Sequence, residues 1–322
     1  MPQPTAGDVH INAPLTNISV AYLQDMGGFV ADKVFPMVPV RKKSDYYFKY
    51  PKDQWFRTDT QERAPASESA GSGYNIESDS YSCKRYALHK DVDDEVRANT
   101  DTPLDADRDA TEFVMRDLVL KREKLWAAKY FTTNVWTGSS TGADIVPGTK
   151  WNVAAGTPIK DMRVQMKAMH TKTGFWPNTL VLASDVWTAL QDASDFLDRI
   201  AYTRDKIVTM DLLASVLFPN GGGRVLVADA VNNTANEGAT AVMADLFTDD
   251  AFLCYSAPRP SILLPSAGYV FNWTGYLGAG AQGQRMKKFR MEHLSSDRVE
   301  GEMYFDQKLV ASDLGVFFNN VL

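Results

Sequence analysis

The sequence lacks the features of a membrane-spanning or secreted chain. No stretch approaches the roughly 18 consecutive apolar residues that a transmembrane helix needs. The first residues carry neither a basic start nor an apolar core, so they do not resemble a signal peptide. We therefore expect no membrane partner, and we expect the two cysteines, Cys83 and Cys254, to be free thiols.

Motifs for metal, cofactor or nucleophilic chemistry are also scarce. The four histidines are far apart, with no cysteine or histidine at metal-ligand spacing. Gly278, Gly280 and Gly283 match the dinucleotide-binding pattern, but a basic, strand-like run follows where a phosphate-binding helix is required. Three aspartates within 105–109 imitate the start of a calcium loop, but its later glycine and glutamate are missing. The sequence predicts no cofactor, no metal site and no catalytic site.

Positive charge is not in excess either. The formal net charge is −6 over 322 residues, whereas domains that bind nucleic acid on their own tend to be strongly basic. This argues against a free-standing nucleic-acid binder, although it leaves room for a position beside nucleic acid at modest affinity. A hydrophobic fraction of 44% is ordinary for a globular protein, and the length suffices for two compact units.

The first ninety residues predict an arm followed by a hairpin. Residues 1–40 hold scattered apolar positions and no self-contained core, which indicates an extended arm with at most one short helix that packs on another surface. Residues 41–90 are rich in aromatic and charged side chains, with strand-like stretches at 44–50 and 81–90 and a small-residue tip at 64–73. We interpret them as a long β-hairpin that lies on another surface, because a two-stranded ribbon is marginal alone. The alternative is a mobile surface loop.

A long helix is predicted at about 102–131. Thr102 and Pro103 form an N-cap and first-turn pair, and acidic residues follow where the helix dipole favours them. Thirty residues would span about 45 Å, which is more than a small domain needs to cover its own sheet. Two apolar stripes, one through Phe113 and Leu118, predict contact on two sides.

The pattern then alternates between helix and strand. Residues 158–171 predict an amphipathic helix, 178–183 a buried strand and 208–218 another short helix. Residues 158–258 are therefore predicted to form a compact α/β unit, with 136–157 as its linker.

The last part of the chain returns to a mostly β pattern. Strands are predicted at 262–273, 285–293 and 299–310, followed by a short apolar segment at 313–322. We expect the long helix and this tail to share one domain, with the α/β unit inserted between them.

Charge is distributed unevenly along the chain. Residues 41–63 carry seven basic and four acidic side chains, whereas residues 91–112 carry nine acidic and two basic ones. Neutralisation within one chain is the plain interpretation. Alternatively, the basic arm of one subunit rests on the acidic helix start of the next, where complementary charge would fix the register. The candidate interface consists of aromatic and basic hairpin residues and acidic helix-start residues: Arg41, Lys42, Lys43, Tyr46, Tyr47, Phe48, Trp55, Phe56, Arg57, Arg63, Asp105, Asp109 and Glu112.

Short motifs and the order of the parts together resemble a known family. The motifs are ADKVFP at 31–36, NTLVLA at 178–183, VLVADA at 225–230, PSAGYVF at 265–271 and DQKLV at 306–310. Each is weak alone, but their order is specific and covers nearly the whole chain. The chain resembles the major capsid proteins of tailed bacteriophages, which have the Hong Kong 97-type fold.

The resemblance implies an α+β fold of that type. It divides the chain into an N-terminal arm (1–40), an extended β-hairpin loop (41–90), a peripheral domain with a long spine helix (91–157 and 259–322) and an inserted α/β axial domain (158–258). Some relatives cross-link a hairpin lysine to a neighbour's asparagine. Lys49 and Lys52 are present, but no partner for them can be aligned, so the sequence makes no prediction of a cross-link.

The resemblance also implies a structural, non-enzymatic role. The subunit would assemble with itself into hexamers and pentamers, forming an icosahedral head around double-stranded DNA held without sequence specificity. Expected partners are a portal, a decoration protein, and either a separate scaffolding protein or none, since thirty residues precede Ala31. The expected location is the virion, with assembly in the host cytoplasm.

Two alternatives stay open from the sequence. An encapsulin-like compartment shell shares the fold but holds cargo enzymes instead of a genome, and nuclease-resistant nucleic acid in purified particles would distinguish the two. A soluble α/β enzyme is the alternative from another class, and it would sediment as a monomer or dimer under assembly conditions.

Overall fold

The computed structural model describes most of the chain. The described residues are 24, 26–100, 104–200, 208–219, 221–260, 264–276 and 283–322. The helices are α1 (Ala31–Val34), α2 (Lys52–Trp55), α3 (Asp94–Ala98), α4 (Ala106–Tyr130), α5 (Pro158–Thr173), α6 (Ser184–Gln191), α7 (Ser194–Ile200) and α8 (Met210–Leu217). The strands are β1 (Met37–Val40), β2 (Ser44–Lys49), β3 (Glu77–Ser82), β4 (Lys84–Asp93), β5 (Thr179–Ala183), β6 (Arg224–Ala228), β7 (Val231–Asn233), β8 (Met243–Asp245), β9 (Ala251–Cys254), β10 (Gly268–Trp273), β11 (Gln284–Met291), β12 (Ser296–Leu309) and β13 (Gly315–Phe318).

A five-stranded sheet joins parts of the chain that are far apart in sequence. The long strand β12 pairs with β4 along one edge and with β11 and β10 along the other, and β1 lies parallel to β10. The long helix α4 packs on one face. A Cβ at position 301 would lie 2.5 Å from Val114 Cγ1, so Gly301 permits the close approach of helix and sheet. The long helix therefore packs on the same sheet to which the strands of the β tail belong.

A four-stranded sheet forms the centre of the α/β unit, in the order β13-β9-β5-β6. All residues of β5 and β9 are buried, as expected for strands covered on both faces. The predicted helices at 158–171 and 208–218 are confirmed as α5 and α8.

The assignment of 313–322 to the peripheral domain is wrong for β13, which pairs antiparallel with β9 of the α/β unit. The predicted linker at 136–157 also packs into the core, where Trp136 and Trp151 are buried. Ile145 forms an isolated bridge to Phe318, so this segment runs beside β13. The apolar character of 313–322 was evident in the sequence, but linear order did not show which sheet either segment joins.

Apolar residues of the segment 29–35 belong to the core. Val30 and Phe35 are fully buried, and the Phe35 ring stands edge-on to Trp126 with 5.8 Å between ring centroids. The chain then enters the five-stranded sheet as β1. The surface on which the predicted arm packs is therefore the core of its own chain for these residues, and most of the preceding ones lie outside the described part of the chain.

The predicted hairpin is shorter than 41–90. β2 pairs antiparallel with β3, which ends at Ser82, while β4 leaves the ribbon and pairs with β12. The change of direction falls at Cys83, which is buried and donates its N–H to the Lys43 carbonyl. Tyr86 and Leu88 pack against the main core, which explains why residues 84–90 belong to the larger sheet.

The long helix begins later than predicted. Asp105 is its N-cap, because its side chain accepts hydrogen bonds from the N–H groups of Asp107 and Arg108. The predicted cap, Thr102 with Pro103, lies outside the described residues. The helix has 25 residues and is about 37 Å long instead of 45 Å.

Candidate subunit interface

A two-stranded ribbon of β2 and β3 lies on the sheet face opposite α4. Tyr81 stacks on Phe271 with 4.6 Å between ring centroids, and Tyr47 lies 5.3 Å from the same ring. Tyr47 also donates its hydroxyl to Asp79 Oδ2 at 3.1 Å. A hydrogen bond from Lys49 helps to hold the pKa of Asp79 at about 2, so this carboxylate stays ionised. The Tyr47 ring already packs within its own chain but is only partly buried, and its contact with a neighbour stays a prediction.

The other face of the ribbon is open. Tyr46 and Phe48 alternate with Tyr47 along β2 and are 71% and 67% exposed. Trp55 and Phe56 follow in the connecting loop and are 56% and 64% exposed. We call Tyr46, Phe48, Trp55 and Phe56 the exposed aromatic set. Such a concentration of exposed aromatic side chains is typical of a surface that another protein covers.

The loop between β2 and β3 carries the predicted small-residue tip. Every residue from 60 to 78 is exposed. The tip contains a turn in which Ser67 donates its N–H to the Ala64 carbonyl, and Ala66 has a positive φ of 63°. Arg63 donates to the Ser67 carbonyl and Arg57 pairs with Asp59, so these two residues of the predicted interface bond locally.

Basic residues lie at the root of the ribbon. Arg41, Lys42 and Lys43 are all exposed, and Lys42 pairs with Asp45 at 2.9 Å. In the described part of the chain, no ion pair joins the 41–63 segment to the acidic start of α4. The structure therefore does not bring the two halves of the predicted interface together within one subunit.

The acidic start of α4 is partly neutralised in its own chain. Asp107 pairs with Arg97 at 2.9 Å and with Lys288 at 2.7 Å. Hydrogen bonds from Arg290 hold the pKa of Asp94 below its ordinary value. Intramolecular neutralisation thus accounts for part of the acidic run.

Three acidic residues of the predicted interface keep an exposed side chain. Asp105 caps the helix, and Glu112 lies 3.7 Å from Arg108 on the next helical turn. Asp109 is exposed between them. These three carboxylates leave negative charge at the surface of the helix start.

Helix α4 buries two adjacent charged residues, Arg122 and Glu123, which the sequence did not predict. The carboxylate of Glu123 accepts the N–H groups of Val30 and Ala31 at 2.8 and 3.0 Å, where α1 begins. Arg122 pairs with Asp32, and both Arg122 and Glu123 are almost fully buried. Burial raises the pKa of Glu123 to about 7, although the two backbone N–H groups oppose the shift. Arg122 lies four residues after the apolar Leu118. This helical spacing was the signal in the sequence that could have predicted a buried charge.

Sites of other kinds were sought in the described residues. No group of three or more His, Cys, Asp or Glu side chains there could hold a metal ion. None of the described helices is both long and apolar enough to cross a membrane. Cys83 and Cys254 are free and buried, as predicted, and burial raises the pKa of Cys83 to about 12.

Comparison with known proteins shows which sequences and folds this chain resembles. No protein-family model matches the chain. The chain is 22% identical over 320 residues to the major capsid protein of Burkholderia phage BcepMu, covering 97% of this chain and 96% of the relative.

Solved structures give the fold. A phage-related protein from Bordetella bronchiseptica RB50 matches 93% of this chain and 94% of its own, with a TM-score of 0.68 and 19% identity. A chain of the mature capsid of bacteriophage PhiM1 matches with a TM-score of 0.61 and 10% identity, covering 97% of this chain and 92% of its own. The chain has the phage capsid fold. The predicted resemblance to tailed-phage major capsid proteins is confirmed.

The capsid fold also occurs in an encapsulin. The SrpI encapsulin of Synechococcus elongatus PCC 7942 matches 96% of this chain and 93% of its own, with a TM-score of 0.58 and 12% identity. The fold alone therefore does not distinguish a phage head from an encapsulin shell.

Proposed function

We propose that this chain is the major capsid protein of a tailed phage, a structural subunit without catalytic function. The observation that carries the proposal is the end-to-end similarity to the BcepMu major capsid protein. A subunit of this kind would assemble as hexamers and pentamers into an icosahedral head enclosing double-stranded DNA. Its partners would be copies of itself and, in the infected cell, a portal, a decoration protein and any separate scaffolding protein.

Electron microscopy of the purified protein tests this function. Closed particles containing both hexamers and pentamers are expected, and particles made during infection should protect double-stranded DNA from nuclease. A monomer or dimer under all assembly conditions would contradict the proposal. Particles that hold a cargo protein and no nucleic acid would favour the encapsulin alternative, to which the similarity to SrpI points.

The ribbon is the proposed contact between subunits. Its exposed aromatic set has room to be buried on a neighbour, and many moderate contacts repeated by symmetry would hold a shell. The basic root of the ribbon would meet Asp105, Asp109 and Glu112 of the next subunit. These carboxylates are exposed, and the root does not reach them within its own chain.

Reversing the charge of Arg41, Lys42 and Lys43 to glutamate is expected to reduce particle yield by about tenfold or more, while each subunit stays folded. The three side chains are exposed, so replacing them should change the stability of the isolated subunit little. At the proposed interface, the new glutamates would repel the acidic residues of the next subunit. Yield is measured by sedimentation and folding by circular dichroism.

Two further variants sharpen this experiment. Reversing the exposed Lys121, Lys124 and Lys129 on α4 changes net charge equally and is expected to affect yield less. Combining the ribbon reversal with Asp109→Arg and Glu112→Arg is expected to recover part of the yield. Normal yield from the ribbon variant would exclude this contact without excluding a capsid function.

A further inference from the structure

A surface contact joins the loop between β2 and β3 to the α/β unit of the same chain. Lys52 in α2 pairs with Asp313, which lies in the turn Ser312–Leu314 just before β13. The Phe56 ring lies over Gly174, where an added Cβ would come within 3.0 Å of Cζ. Gly174 ends α5 at φ +75°, in the left-handed region that glycine adopts without strain. An ion pair and an aromatic contact therefore hold the same loop segment.

The contact fixes the base of the whole loop. Gln54 accepts a hydrogen bond from the backbone N–H of Asn75, which draws the two ends of the loop together. The Trp55 ring lies 5.9 Å from Tyr50 and 5.4 Å from Tyr74, centroid to centroid. Because this cluster ties both ends of the loop, the position of Lys52 and Phe56 sets the direction in which the loop leaves the subunit.

The contact is nevertheless easy to open. The Lys52 and Asp313 side chains are 48% and 25% exposed, and ion pairs in that environment contribute little. Phe56 keeps 64% of its surface exposed while it lies on Gly174, so most of its apolar area is still available for burial elsewhere. A larger apolar surface on a second subunit would compete successfully for the same side chain.

We propose that the Lys52–Asp313 and Phe56–Gly174 contacts form a clasp that holds the loop on its own subunit before assembly and opens when the ribbon docks on a second copy of this chain. The inference rests on the proposed function, in which the exposed aromatic set is buried on a neighbour. Phe56 belongs to both arrangements, and burying its whole ring on a neighbour would require it to leave Gly174. The clasp would thus delay aromatic contacts between free subunits until a correctly oriented neighbour arrives.

A reversible cross-link tests whether the clasp must open. Lys52→Cys and Asp313→Cys are combined and bridged by a thiol-reactive linker with a spacer that a reductant cleaves. Cys83 and Cys254 are buried with raised thiol pKa values, so they should not react. The bridged subunit is expected to form no particles, and cleavage is expected to restore them. Assembly of the bridged subunit at the unbridged rate would overturn the clasp.

Charge variants test, without a linker, how much the Lys52–Asp313 ion pair contributes to the clasp. Asp313→Asn removes the ion pair with little change of shape and is expected to lower the subunit concentration needed for assembly by about two- to fivefold, the range of an exposed ion pair. Exchanging the charges with Lys52→Glu and Asp313→Lys should return that concentration to the wild-type value. Asp59→Asn, which removes a loop ion pair that does not touch the α/β unit, is the matched control and should change nothing.

The outcomes separate this inference from the proposed function. If the wild-type chain forms no particles, both fail. If the wild type assembles and Asp313→Asn leaves the threshold unchanged or raises it, the clasp alone is wrong.

Discussion

Replacing Trp126 with alanine is expected to lower the free energy of unfolding by about 3–5 kcal/mol, the usual cost of truncating a fully buried large aromatic side chain. Trp126 has no exposed surface and lies where the parts of the fold meet. Its ring is 5.8 Å from Phe35 near the start of the described chain and 6.3 Å from Phe252 in β9, centroid to centroid. A cavity here would loosen the five-stranded sheet, the α/β unit and α1 together.

The measurement is denaturant unfolding of unassembled subunits. Phe113→Ala is the matched control, since Phe113 is an aromatic residue of the same helix but is 55% exposed. Truncating Phe113 is expected to lower the free energy of unfolding by less than about 1 kcal/mol. Equal losses for the two variants would mean that α4 does not link the two sheets as described.

Stability is expected to fall by about 3 kcal/mol between pH 4.5 and pH 8 through Glu123 alone, because each unit of pKa shift corresponds to about 1.4 kcal/mol. Burial raises the pKa of Glu123 from its ordinary 4.5 to about 7. The folded chain therefore holds the proton more tightly than the unfolded chain does. This stabilisation is fully present below pH 4.5 and is lost as the pH rises through 7.

Glu123→Gln isolates this contribution. The amide cannot ionise, and its oxygen can still accept one of the two N–H groups at the start of α1. The charged groups facing Glu123 are Asp32, which also raises its pKa, and Arg122, which lowers it. Asp32 and Asp250 also have raised pKa values and add to the wild-type slope, so the difference between wild type and variant is the quantity to measure.

Chemical denaturation across this pH range supplies that difference. Glu112→Gln, an exposed carboxylate on the same helix, is expected to leave the wild-type pH dependence unchanged. If the free energy of unfolding of Glu123→Gln changes with pH as much as that of the wild type, the pKa of Glu123 is not raised as inferred.

The sequence predicted the larger elements well because their signals are local. The periodicity of 158–171 and the apolar run at 178–183 gave a helix and a strand that the structure contains. The wrong assignments concern pairing, which is not local. Residues 84–90 had the composition of a ribbon strand, yet they lie in the larger sheet because β12 offers a long edge.

The candidate interface was predicted only in part, for a related reason. Composition marked Tyr46, Tyr47 and Phe48 alike as aromatic, while the alternation of β2 turns the middle ring inward onto Phe271. Charge counts found the acidic helix start but not Lys288 and Arg290, which approach it from a strand some 180 residues later. The docking of ribbon on helix start between subunits stays a prediction.

The two sheets take their strands alternately from the chain. β1 and β4 precede the α/β strands β5, β6 and β9, then β10 to β12 return to the first sheet, and β13 goes back to the second. During synthesis, neither sheet can be completed before nearly all strands of the other have been made. One edge of β9 therefore stays unpaired until about sixty further residues have been synthesised and β13 is available. Heating should correspondingly melt both sheets in a single calorimetric transition, without a stage at which the α/β unit survives alone.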